Sequence, residues 1–209
     1  DTRYLMSYFL FSTGISDVLM SDNTNLGRTI RKLVQRGGIN NILVKPVDLV
    51  RYFYFETVGT VGMRIILGLI SVLLGLILMP PVNLFSFLLF IIFVIQAFFI
   101  SFAYNLFEGA LSLIFVEVGG IKNAMHHVTR ILSGQWIPYT FFSESIRTVM
   151  TFTPFPVMVF GPVTALSTTE LSTEVLLQIL NGAFWAVILN ILVFKFWKRN
   201  LKFYDAAGN

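Results

Sequence analysis

The feature that most constrains this chain is residues 65–107, which contain no Asp, Glu, Lys or Arg. Only Pro80-Pro81-Val82-Asn83 interrupts the apolar character of this run. A helix that crosses a bilayer needs roughly 20 apolar residues. The run therefore reads as two crossings, about 57–79 and 84–107, joined by a tight turn. A second uncharged run, 175–194, is bounded by Glu174 and Lys195 and reads as another span. Composition agrees: 56% of the residues are hydrophobic and 12% are charged, where a soluble domain carries about 25% charged residues. The pattern is continuous or helical, without the alternation of an outer-membrane barrel. The expectation is an all-α, polytopic membrane protein with one transmembrane domain over residues 1–209.

Tyr4 to Met20 (YLMSYFLFSTGISDVLM) predicts a further span, about 4–21. Asp17 near its end is close to Asp22 and to the basic stretch that follows, which favours an interfacial place over an intramembrane role. The chain opens on Asp1, almost inside a hydrophobic run, and reads as a fragment or processed chain lacking an N-terminal part. There is no cysteine, so disulfides and thiolate metal sites are excluded. The net charge of +4 is no nucleic-acid signal, because the basic residues flank membrane spans.

Residues 25–50, NLGRTIRKLVQRGGINNILVKPVDLV, carry Arg28, Arg31, Lys32, Arg36 and Lys45 against one acid, Asp48. Leu26, Ile30, Leu33 and Val34 fall at helical spacing with the basic residues opposite, which predicts a short amphipathic helix. Gly37-Gly38 ends it, and Pro46 sets a second boundary before the apolar chain resumes. A docking element and an ordinary positive-inside loop both account for this segment. Downstream, Tyr52 to Phe55 suit an aromatic belt. Gly59, Gly62, Gly68 and Gly75 let membrane helices approach closely. Arg64 either snorkels to the interface or pairs with Glu56.

The region 119–166 has two readings. Lys195 to Arg199 and Trp197 and Tyr204 place the C-terminus on the same side as the basic segment, so an even number of crossings lies between them. The fourth crossing is either the charge-free run 148–169 or 119–135 followed by a broken segment, 136–166. Charge counting favours the first. Pro138, Pro154, Pro156 and Pro162 rule out one straight helix there and suggest short broken ones. His126 and His127 point about 100° apart on a helix, which is unsuitable for a metal pair.

Three stretches carry a family resemblance. RGGINNILVKPVD resembles the elbow after the second helix of ABC-2 type transporter permeases. LSGQWIPYTFFSESIRTVMTFTPFP (132–156) resembles the family's stretch before its last helix. FWKRNLKFYDAAGN resembles the basic-aromatic ending of a bacterial subgroup, with Asn200 where glycine is usual. The resemblance implies a bacterial cytoplasmic-membrane permease of six helices, of which this chain holds about five spans, the first being absent. It implies a coupling helix and elbow at Arg28, Arg31, Lys32, Arg36, Gly37, Gly38, Lys45 and Pro46. It also implies a fifth span at 119–135 and an outer re-entrant gate at 136–166 with Gly134, Pro138, Pro154 and Pro156.

The implied activity is export of a lipophilic or amphiphilic compound. The implied partners are a separate P-loop ATPase that binds ATP and Mg, a second permease copy or a similar permease, and membrane lipids. The chain itself holds no G-x-x-x-x-G-K-[ST] motif, and the resemblance implies no cofactor, metal or catalytic residue on it. The competing class is a non-transporting membrane scaffold whose basic segment binds anionic lipid. An enzyme built on His126, His127, Glu108 or Glu117 lacks any diagnostic spacing.

Overall fold

The apolar runs become helices because a backbone in hydrocarbon must satisfy its own hydrogen bonds. The computed structural model describes residues 2–19, 26–78, 82–115 and 119–201. The Pro80-Pro81 turn, Met20, Asp22, Asn25, Glu117 and the tail from Lys202, including Tyr204, lie outside the described residues. In chain order the helices are α1 (Thr2–Leu19), α2 (Leu26–Gln35), α3 (Asn40–Leu43), α4 (Leu49–Leu78) and α5 (Leu84–Leu111). Then come α6 (Gly119–Leu132), a 3₁₀ turn (Tyr139–Phe141), α7 (Glu144–Thr151), α8 (Phe155–Met158), α9 (Phe160–Ala165) and α10 (Thr173–Leu201). Among the described residues every regular element is helical.

Two helices, α5 and α10, are each long and apolar enough to cross a membrane. α4 is a third when its two parts, Leu49–Gly62 and Arg64–Leu78, are taken as one span bent by 47°. Gly59 and Gly62 sit just before that bend, and a Cβ on either would meet nothing within 4 Å. α1 and α6 occupy two further expected spans but fall short of that apolar length. α1 carries Arg3 and Asp17 in 18 residues, and α6 has only 14, about 21 Å of rise. The helices also run further than the charge-free segments. α4 starts at Leu49, α5 reaches Leu111 and α10 reaches Leu201, because a helix continues through interfacial and charged residues that hydropathy alone does not count.

α1 crosses α4 closely through glycines. A Cβ on Gly14 would lie 2.7 Å from the Gly68 carbonyl oxygen, and one on Gly75 2.8 Å from the Phe11 ring. Of the four glycines expected to permit close approach, Gly68 and Gly75 do so. The Arg64 guanidinium donates to the Val18 carbonyl at 3.4 Å and lines a small polar crevice together with Glu56.

Two apolar clusters hold the bundle. One joins Phe11, Phe93, Ile100, Met158 and Val159 at what we call the proline end. The other joins Ile30, Ile39, Phe53, Leu106 and Trp197 at the basic end. Trp197 and Phe53 were expected in interfacial belts, but both are buried, with rings edge-to-face at 5.6 Å. They tie the end of α10 to the start of α4. Phe55, at 70% exposure, keeps a belt-like position.

Candidate coupling and gating sites

At the basic end the amphipathic pattern of residues 26–35 forms α2 as its spacing predicts. Leu26, Ile30 and Val34 are buried, a stripe at i, i+4, i+8 that lies along the end of α5. Two glycines let the helices touch. A Cβ on Gly27 would stand 2.8 Å from the Glu108 Oε2, and one on Gly109 2.6 Å from the Ile30 Cδ1. The opposite side carries Lys32 and Arg36, both exposed, while Arg28 and Arg31 are half-buried. A Cβ on Gly119 would lie 3.5 Å from Arg31 Nη1, so Arg31 reaches the first residue of α6. One short helix therefore bears on both α5 and α6.

The break after α2 is a left-handed glycine cap. Gly37 has φ 66°, its N–H donates to the Val34 carbonyl at 3.1 Å, and Ile39 N–H donates to the Leu33 carbonyl at 3.3 Å. A residue with a Cβ pays strain in this region, which glycine avoids. Ile39 and Ile42 are buried and pin α3 beneath, while Asn40, Asn41, Lys45 and Pro46 are exposed. Leu43, Val44 and Val47 are also exposed, Val44 at 83%, giving an apolar tip ringed by polar groups. Asp48 then caps α4. Its Oδ1 accepts from the N–H of Val50 at 3.0 Å and of Arg51 at 3.1 Å. Asp48 is the lone acid of the segment, and an Asp just before an apolar helical run is itself an N-cap signal.

At the other end, residues 133–172 are broken as the prolines require. The run 148–169, one of the two candidate crossings, is divided among α7, α8 and α9 with no continuous helix. Gly134 has φ 81° and is buried against α1, where a Cβ would stand 2.9 Å from the Tyr8 hydroxyl. Pro138 and Pro156 are buried and Pro154 is half-buried. Broken backbone leaves carbonyls without helical partners, and here side chains supply donors. Tyr8 Oη donates to the Gly134 carbonyl at 2.6 Å, and Tyr139 Oη to that of Leu132. Asn181 Nδ2 donates to Thr151 at 3.0 Å and to Thr153 at 3.3 Å, and Trp185 Nε1 to Phe152 at 2.9 Å. Gln135 Nε2 donates to Ser16 Oγ at 2.7 Å. Tyr8, Asn181 and Trp185 carry this arrangement, and none was singled out from sequence. An Asn or Trp on an apolar helix is the available signal, since buried polar groups seek partners.

Between the two ends, α5 and α6 each bury a polar stripe. On α5 it is Ser101 and Glu108, continued by Ser112 at its C-cap, and on α6 it is Lys122, His126 and Thr129, continued by Ser133 just past its end. Tyr104 of α5 lies against both Glu108 and Thr129. The stripes lead from α2 at Glu108 toward Gly134. His126 is buried while its neighbour His127 is exposed and stacks near Trp136 at 5.4 Å, so the pair diverges as helical geometry demands. No group of metal-ligating side chains able to hold an ion occurs among the described residues.

A family model described as "ABC-2 family transporter protein" matches residues 2–208. Neither the curated proteins nor the solved structures gave a match.

Proposed function

Because the chain belongs to the ABC-2 family of transporter proteins and is a multi-pass membrane protein, we propose that it is the permease subunit of an ABC exporter in a bacterial cytoplasmic membrane. Its partner would be a separate P-loop ATPase carrying ATP and Mg, and a second permease, identical or similar, would complete the translocation path. The observation that carries this reading is α2. The helix bears its apolar stripe on α5 and reaches α6 through Arg31, and the glycine cap then presents an exposed tip at Asn40 to Val47.

Such an element transmits force as a rigid body, because packed helices shift between discrete positions and do not deform continuously. Closure of the ATPase against the tip, and against Lys32, Arg36, Lys45 and Pro46, would push α2. Its contacts at Gly27–Glu108 and Ile30–Gly109 hand that push to α5, and Arg31 hands it to α6. α6 ends at Leu132, two residues before Gly134, which with Pro138, Pro154 and Pro156 belongs to the proposed outer gate. In this orientation the basic end faces the cytoplasm. The exported compound is lipophilic or amphiphilic.

The test is the double charge reversal Arg31→Glu, Arg36→Glu in the permease–ATPase complex. The protein should still insert, while substrate-stimulated ATP hydrolysis falls to the basal rate. Unchanged stimulation would leave the basic residues as a topology signal or a lipid-binding surface and remove the coupling role.

A further inference from the structure

At the basic end the start of α4 and the end of α10 face each other across a cleft of about 760 Å³, with Phe102 of α5 at its floor. The two elements are tied together by the buried edge-to-face pair of Phe53 and Trp197, 5.6 Å apart. α4 leads away from this end and α10 leads into it, and their residues repeat one order of chemistry. Arg51 in the first turn of α4 is matched by Lys198 in the last turn of α10, and both line the cleft and are exposed. One turn inward come aromatic rings, Tyr54 and Phe55 on α4 and Phe194 on α10. At helical spacing the same faces continue as Val58 and Ile191, 43% and 44% exposed.

The order of cation, aromatic ring and aliphatic side chain is the order of environments in a bilayer leaflet, from headgroup to hydrocarbon. From Arg51 to Val58 a helix rises about 10 Å, more than the roughly 5–8 Å of interfacial layer on each side of a bilayer. α10, and α4 taken as one bent span, are apolar enough to cross a membrane, so acyl chains lie at the inner end of the cleft. The charges choose the head. Among the described residues neither Arg51 nor Lys198 has a carboxylate partner, and Lys198 Nζ sits 4.3 Å from the centroid of the Phe194 ring. The one acid of the cleft, Asp48, is engaged at Oδ1 by the N–H groups of Val50 and Arg51. A guanidinium holds a phosphate through paired donors, and an ammonium adds a point charge. A zwitterionic head would bring a further ammonium to a site that already holds two cations.

We propose that this cleft binds an anionic phospholipid, with its phosphate between Arg51 and Lys198 and an acyl chain along Tyr54, Phe194 and Ile191. The site is separate from the basic residues of the coupling segment and does not depend on their role. A lipid held there braces the elbow at Asp48 against the end of α10, the junction that Phe53 and Trp197 close from within.

The experiment uses the full-length protein in phosphatidylcholine vesicles with increasing fractions of phosphatidylglycerol, a diazirine being carried on the acyl chain of one lipid or the other. Phosphatidylglycerol adducts should concentrate on peptides covering 48–58 and 191–198, and phosphatidylcholine adducts should not. Arg51→Gln and Lys198→Gln should each raise the phosphatidylglycerol fraction for half-maximal labelling about fivefold, the equivalent of the roughly 1 kcal/mol of one basic group at an anionic membrane surface. An unchanged phosphatidylcholine pattern shows that these variants fold. Lys195→Gln with Arg199→Gln removes two exposed charges from the same helix end and none from the cleft, and should shift the half-maximal fraction less than twofold. Equal labelling by the two lipids, or an equal shift in the Lys195, Arg199 variant, would reduce the cleft to general surface charge and overturn the site. Displacement of the labelled lipid by millimolar glycerol 3-phosphate would make it a site for soluble phosphates, and loss of labelling once the ATPase is bound would make it a protein-docking surface. Either result would overturn the lipid assignment.

Discussion

The two ends of the molecule solve the same problem, backbone that leaves its helix, with different reach. At the basic end the chain breaks at Gly37 and again near Pro46. The freed groups are met locally, by the glycine cap and by Asp48, while buried Ile39 and Ile42 supply the grip. At the proline end Gly134 makes a similar local cap, its N–H donating to the Ile131 carbonyl at 3.1 Å, but the carbonyls of Gly134 and of Thr151 to Thr153 are also met from a distance, by Tyr8, Asn181 and Trp185. Local closure makes a rigid unit that moves as one piece. Long-range donors to backbone can be exchanged one at a time, and they suit a segment that must part from its neighbours. On the proposed reading, the same fold would carry a stiff handle and a releasable latch.

The largest expected effect bears on whether these ends lie on opposite sides of the membrane. The protein has no cysteine, so single cysteines at Asn41 and Ser143, both exposed, report without background. Cysteine at Ser143 should react with an impermeant thiol reagent in intact cells, and cysteine at Asn41 only after permeabilisation. Reaction of both under the same condition would put handle and latch on one side and break the comparison outright.

The next effect distinguishes the two positive-φ glycines. Gly134→Val should cost about 1–2 kcal/mol of backbone strain and a further ~1–3 kcal/mol of overpacking against Tyr8 and Phe160, whose nearest atoms would lie 2.9 and 3.3 Å from the new Cβ. Gly37→Ala should cost about 1–2 kcal/mol of backbone strain. Thermal unfolding of detergent-solubilised protein checks the order, and a larger loss at Gly37 would reverse the assignment of which end is tightly packed. Smaller than the Gly134→Val loss is that of Tyr8→Phe. It removes one donor from a buried carbonyl and should cost about 1–3 kcal/mol, with proteolysis between 133 and 160 accelerated and cleavage near Gly37 unchanged. Equal acceleration at both places would mean that the ends unfold together.

How much of this was legible in the residues follows from how local each signal is. α2, its glycine stop and the breaks in 136–166 were readable, because amphipathic spacing, Gly37 and the prolines act within a few residues. The burial of Trp197 against Phe53 was not, since aromatic residues near a membrane boundary serve equally as belt or core and only tertiary packing chooses. Gly68 and Gly75 face α1 while Gly59 and Gly62 face open space. The small-residue pattern announces a contact without saying which turn makes it. The donors Tyr8, Asn181 and Trp185 act over sequence separations of 28 to 126 residues, beyond anything periodicity records. In the coupling segment the basic residues were found from charge, but the apolar tip at Leu43, Val44 and Val47 was not, because exposure distinguishes it from the equally apolar Ile39 and Ile42.

The smallest effect is the sharpest test of the latch itself. Trp185 Nε1 donates to the Phe152 carbonyl at 2.9 Å, in a segment where Phe152 is 71% exposed, so the bond is worth only about 0.5–1.5 kcal/mol. Trp185→Phe keeps an aromatic ring on α10 and removes that donor alone. Asn181, one turn earlier, still holds Thr151 and Thr153, and global stability should therefore shift by no more than that amount. If the proline end works as a latch, a small loss of this kind falls on the closed state only. Substrate-stimulated ATP hydrolysis should then rise modestly or reach half-maximum at lower substrate, with the unfolding temperature nearly constant. If instead stability falls and stimulation stays the same, the bond is ordinary scaffolding. The contrast with the basic end would then lie in geometry alone.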